Sequence, residues 1–140
     1  MGSEYTFYDY IDADGGGVNV IKKWLDGEGK PAKAYFMNMI LNLEASPPPH
    51  TLDSVWGKPY TKKMTSKKGE NWKGFIEFRK TGTIQYRIIG QMHGRNVYLV
   101  ATGIHKGQRF VTDISPKTAI ERIEQMIQAP AKYRREHEHN

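Results

Sequence analysis

The sequence predicts an α+β domain: a small antiparallel sheet with a mixed edge and about four to five strands, covered by an N-terminal helical hairpin and completed by a C-terminal helix. Three observations carry this. Apolar residues recur at helical spacing between positions 18 and 43, strand-forming residues dominate positions 72–102, and helical spacing returns after Ser115-Pro116. The two helices before the strands make a helical hairpin that can cover one face of the sheet. At 140 residues the chain fits one domain spanning 1–140.

Tyr5-Thr6-Phe7-Tyr8-Asp9-Tyr10-Ile11 has a strand's aromatic composition and is expected to join the central sheet. Asp14-Gly15-Gly16-Gly17 ends it. The run lacks the G-x-G-x-x-G spacing and the GK[ST] ending of a phosphate cradle, so it reads as a turn. Val18, Ile21, Trp24 and Leu25 mark a first helix stopped by Gly27 and Gly29. Pro31 suits the first turn of a second, whose apolar face is Ala32, Tyr35, Phe36, Met39, Ile40 and Leu43. Pro47-Pro48-Pro49 ends that helix and opens an extended connection over 50–57. Residues 61–69 read as a lysine-rich flexible loop, either simply solvated or gripping a phosphate backbone. Ser115 as N-cap and Pro116 at the first position begin the closing helix, with Ile120, Ile123, Met126 and Ile127 as its apolar face. Ala129-Pro130 stops it, and residues 129–140 are expected to be a frayed tail.

Charge is concentrated in residues 58–109, where twelve Lys/Arg face two acids, Glu70 and Glu77, for a net +10. The preceding residues carry a net −4 and the following ones are balanced. The basic segment is also the strand-rich one, an electrostatic footprint of a nucleic-acid partner. Alternation puts Trp72, Ile76, Phe78, Ile84, Tyr86 and Ile88 on one face and Lys73, Phe75, Glu77, Arg79, Gln85, Arg87 and Ile89 on a largely polar one. A three-residue turn, Lys80-Thr81-Gly82, keeps Arg79 and Arg87 on the same face.

Composition excludes several classes. Cysteine is absent, which removes disulfides and zinc-thiolate sites and points to a reducing cytoplasm. No apolar run approaches the roughly 20 residues of a membrane span, and the start shows no secretory pattern. Met1-Gly2-Ser3-Glu4-Tyr5-Thr6 matches an N-myristoylation pattern formally, but so short a motif constrains little.

Trp24-Leu25, Phe75-Ile76-Glu77-Phe78-Arg79, Tyr86-Arg87-Ile88-Ile89, the run from Val97 into His105-Lys106, and Ser115-Pro116 before the last helix together resemble RelE/HigB-type toxins of type II toxin–antitoxin systems, in particular their phage-derived HigB-like branch. The resemblance covers roughly residues 21–127 and implies a RelE-like fold. It also implies a cytoplasmic, ribosome-dependent mRNA endonuclease that inhibits translation and is neutralised by a cognate antitoxin. Such a toxin cleaves without metal or other cofactor: the substrate 2′-hydroxyl attacks its own adjacent phosphate, aided by a base, by cations on the developing charge and by an acid at the leaving oxygen. The resemblance assigns catalytic positions to Arg79, Arg87, His105 and Lys106. Thr102-Gly103-Ile104 departs from the family's pattern and no tyrosine stands in the first part of the closing helix, so the general acid stays unassigned.

The residues alone give a similar set. Histidine titrates nearest neutrality, and His93 and His105 lie beside the cationic strands. Arginine's fork suits phosphate; an ion pair with Glu77 is the structural alternative for Arg79. Candidate RNA contacts are Lys58, Lys62, Lys63, Lys73, Arg95 and Arg109 as cations, with Tyr86 and His93 beside them. Two other readings stay open: a module that binds RNA or DNA without cutting, and a ParE-like toxin that inhibits gyrase.

Overall fold

The computed structural model describes residues 5–45, 61–67, 70–106, 109–112 and 114–139. Strand β1 (Thr6–Asp12) ends in a single 3-10 turn, where the Asp12 side chain accepts from Gly15 N, and Gly16 and Gly17 adopt positive φ. The glycine run is therefore a turn, as expected. It feeds β2 (Val18–Asn19), and Asn19 caps α1 (Val20–Gly27) by accepting from Lys22 N at 2.9 Å. Gly29, at φ 95°, separates α1 from α2 (Lys30–Glu44), which has Pro31 in its first turn.

The strand region comprises β3 (Thr61–Lys63), β4 (Ser66–Lys67), β5 (Glu70–Asn71), β6 (Ile76–Lys80), β7 (Gln85–His93), β8 (Asn96–Lys106) and β9 (Arg109–Val111). It is followed by α3 (Pro116–Gln128), α4 (Pro130–Tyr133) and β10 (Arg134–Glu136). Eight strands join one sheet on the path β10-β1-β8-β7-β6-β3, with β2 pairing to β1 and β9 to β8. β1 runs parallel to β8 and the other pairings are antiparallel. The mixed α+β sheet is as expected, but it exceeds four to five strands because β2, β3, β9 and β10, two or three residues each, extend its edges.

One face of the sheet packs under α1 and α2, where Phe7, Phe78, Ile88, Val97 and Leu99 meet Ile21, Leu25, Phe36, Met39, Ile40 and Leu43. The opposite face is not the open polar surface that alternation suggested. There Trp72, Phe75, Ile89, Tyr98, Val100 and Ala101 meet Ala119, Ile123 and Met126 of α3. Burying each large apolar side chain contributes about 1.5–3 kcal/mol, so both layers stabilise the sheet. Double-sided burial explains the continuous apolar runs Ile88-Ile89 and Val97–Ala101, which alternation alone does not.

A bulge at Ile89/Gly90 places Val100 and Ala101 both on the α3 side. Gly90 is required there, since an added Cβ would stand 2.8 Å from the Tyr98 carbonyl oxygen and 3.0 Å from Leu99 Cδ2. Beyond Leu99, where β1 stops pairing, the Val100 carbonyl accepts from Arg122 at 2.8 Å and the Thr102 carbonyl from the Thr112 hydroxyl at 3.0 Å.

Several expectations are corrected. Trp72 belongs to the α3-side cluster, because the turn at Gly74 (φ 95°) resets the alternation. Ile84 lies outside the strands and is 49% exposed, because Lys80 pairs with Tyr86 and the turn is longer than three residues. Ile120 and Ile127 are exposed, and Ala119 replaces them in the buried stripe with Ile123 and Met126. Thr61–Lys63 is an edge strand on β6 instead of a flexible loop. His105 stands within β8, since the chain continues as strand to Lys106 and turns back as β9.

Residues 129–139 are ordered instead of frayed. β10 pairs with β1, and the His137 amide donates to the Phe7 carbonyl at 2.8 Å. The His137 side chain is buried against Asp9, Nδ1 to Oδ1 at 2.9 Å, while Asn19 donates to the other Asp9 oxygen at 3.0 Å. His139 Nε2 lies 2.6 Å from Glu44 Oε1. Burial pushes the Glu44 carboxyl above its usual range, with His139 opposing. The proline tract, the connection over 50–57 and Lys58 lie outside the described residues.

Candidate nucleic-acid interface and catalytic rows

The strand register assembles two adjacent rows across the α3-side face. Arg79 pairs with Arg87 and Arg87 with Gly103, while Gln85 pairs with His105 and His105 with Phe110. Register partners share a face, so three of the four proposed catalytic positions converge here although 26 positions separate the first from the last, Arg79 from His105. Lys106, at the end of β8, pairs with Arg109. The next row inward runs Lys62, Glu77, Ile89, Ala101, placing exposed Lys62 of the edge strand beside Glu77.

Glu77 organises the cations. Its Oε1 stands 3.6 Å from Nε of both Arg79 and Arg87, and among the described residues neither Nε has a hydrogen-bond partner. The two arginines are unlike. The Arg79 side chain keeps 21% exposure, whereas Arg87 is 1% exposed. Arg87 Nη1 donates to the carbonyls of Tyr86 (2.8 Å) and Lys80 (3.3 Å), and Nη2 donates to Gln85 Oε1 (3.0 Å). Burial lowers the Arg87 pKa, Glu77 raises it and Arg79 lowers it further; a guanidinium nevertheless remains charged. The expectation that Arg87 lies open on a polar face is thus corrected: its side chain is 1% exposed and tied to Glu77, Gln85 and the carbonyls of Lys80 and Tyr86, which holds the β6–β7 turn together. Two cations against one carboxylate leave a net positive cluster with Arg79 at its accessible side.

The RNA-contact candidates divide. Tyr86 is on the other face, packed edge-on against Trp24 at 5.8 Å, away from the arginine row. Lys63 also points to that side by register with Ile76, and is exposed. Lys73, His93 and Arg95 are exposed at the opposite end of the sheet. Arg109 opens β9.

Sequence reasoning missed the buried Asp9–His137 pair, since the partners are 128 positions apart. They border a cavity of about 160 Å³ between α1, α2 and the tail. Four of its lining charges pair with one another, Lys33 with Asp26 at 2.6 Å and Lys22 with Glu138 at 3.7 Å. Among the described residues no three His, Asp or Glu side chains are grouped to hold a metal ion, and no helix is long and apolar enough to cross a membrane. Comparison of the chain with protein-family models, with curated proteins and with solved structures finds no match.

Proposed function

We propose that the chain is a RelE/HigB-type toxin, a cytoplasmic endoribonuclease that cuts mRNA on the ribosome and is held inactive by a cognate antitoxin. The observation that supports this most directly is the convergence of Arg79, Arg87 and His105 on adjacent rows of the strongly basic segment. The chain path also supports a RelE-like arrangement: a first strand parallel to β8, a helical hairpin, and an antiparallel β6-β7-β8 meander.

In this reading Arg79 meets the scissile phosphate and stabilises the charge it gains when the 2′-oxygen attacks. Arg87, enclosed behind it, holds Glu77 and the β6–β7 turn and adds its positive field. His105 or Lys106 moves a proton, either from the 2′-hydroxyl or to the departing 5′-oxygen, as the resemblance implies. The products are a 2′,3′-cyclic phosphate and a 5′-hydroxyl end. Incubating the purified protein with translating ribosomes and mapping mRNA ends tests the proposal; intact messages at full ribosome occupancy refute it.

The enclosure of Arg87 favours one second reading, a module that holds RNA or DNA on the same basic segment without cutting. RNA binding with unchanged message ends selects it. Arrested DNA replication with continuing protein synthesis would instead select a ParE-like gyrase inhibitor.

A further inference from the structure

We propose that the end of the sheet where β7 turns into β8 is a stacking platform for a base of single-stranded RNA, centred on His93. The inference rests on the RNA reading above and adds where a second part of the strand is held. Two further register rows lie at this end, Thr6–Asn96–His93 and Tyr8–Tyr98–Gln91. They are on the same face of β7 as Arg87, with the α3-covered row of Ile89 between. Six residues of strand separate Arg87 from His93, about 20 Å.

The platform is rigid. The exposed His93 ring lies 5.5 Å from the Tyr98 ring, which is 3% exposed. Tyr98 is held from behind: its hydroxyl accepts from Arg134 Nη1 at 2.6 Å and Asn96 Nδ2 at 3.3 Å, and the Tyr8 ring packs at 5.8 Å. The Arg134 guanidinium spans Tyr8 and Tyr98, 4.3 and 5.3 Å from their ring centres. His93 Nε2 donates to Gln91 Oε1 at 2.6 Å, which sets the plane of the imidazole. Burial lowers the His93 pKa, so near neutral pH the ring presents an uncharged π-face.

The surroundings select a nucleic-acid base over an aliphatic partner. Lys73 and Arg95 are exposed, and Gly74 brings the Lys73 turn beside Gln91, 3.5 Å from a built Cβ to Gln91 Nε2. Glu136, register partner of Tyr8, is the acid at the far rim. Flat rings flanked by cations are how single strands are held without sequence readout, each stack being worth a large factor in affinity.

The test is binding of a fluorescein-labelled oligouridylate by anisotropy across a salt series, with folding of each variant checked by thermal unfolding. His93→Ala is expected to weaken binding roughly 5- to 150-fold, with the slope of log affinity against log salt unchanged because no phosphate contact is lost. His93→Phe restores most of the affinity. Lys73→Ala, in contrast, lowers the slope. If wild type binds normally and His93→Ala stays within about twofold of it, or His93→Phe is as weak as His93→Ala, the platform is wrong while the RNA reading stands. If wild type does not bind at all, both fall.

Discussion

Replacing Arg87 by alanine tests whether this arginine supports the fold, as its enclosure indicates, and the loss can be worked out contact by contact. The substitution removes three donated hydrogen bonds and the 3.6 Å ion pair with Glu77. Glu77, 7% exposed at its side chain, keeps its ion pair with Arg79 at the same 3.6 Å distance. Breaking a buried pair by removing one partner costs about 3–5 kcal/mol. Against a total stability of roughly 5–15 kcal/mol, that is a large fraction. At roughly 3–4 °C per kcal/mol for a chain of this size, the melting midpoint falls by about 9–20 °C. Arg79→Ala removes a partly exposed partner and is expected to cost about 1 kcal/mol. The paired replacement Glu77→Leu with Arg87→Met recovers most of the stability, because it removes both charges together. Calorimetric or circular-dichroism melts of the four proteins decide the matter. An Arg87→Ala protein melting within about 3 °C of wild type would refute the reasoning and return Arg87 to the list of groups free to meet substrate. Until then, slow cleavage by an Arg87→Ala protein is interpretable only with its folded fraction measured.

Gly90→Ala is expected to destabilise by about 1–3 kcal/mol, because its Cβ would press on the Tyr98 carbonyl at 2.8 Å; a denaturant midpoint equal to wild type contradicts the bulge. His137→Ala leaves buried Asp9 with Asn19 as its remaining partner of the two described, an expected loss of about 1–3 kcal/mol, and hydrogen exchange should quicken first in β1. The His93 pKa is lowered on folding, so the unfolded chain binds the proton more tightly and stability falls as pH drops below the usual histidine value near 6.5. His93→Gln should flatten that part of the pH profile, and an unchanged profile would show that His93 is not its source. His105→Ala is expected to slow message cleavage by about 10²- to 10⁴-fold while leaving ribosome binding intact; full activity would move the proton-transfer group elsewhere.

What the sequence determines by itself is local. Helical spacing, with Pro31 and Ser115-Pro116 at the starts of the second and third helices, places α1, α2 and α3 within a few residues, since caps and periodicity are written in neighbouring positions. The +10 segment and the odd-parity relation of Arg79 and Arg87 follow in the same way from composition and strand alternation. The tertiary structure decides which surfaces are covered. Alternation leaves Arg87 on a polar face, but the folded chain buries it against Glu77 and the β6–β7 turn, so a residue legible as a substrate contact becomes a buried support. Ile120 and Ile127 show the converse, apolar residues of α3 that the fold leaves exposed while Ala119, Ile123 and Met126 are buried. The order of the tail depends on Asp9 and Glu44, more than 90 positions before the histidines they meet. Such pairings depend on where the sheet's edge ends up in space, and no spacing rule within the chain encodes that.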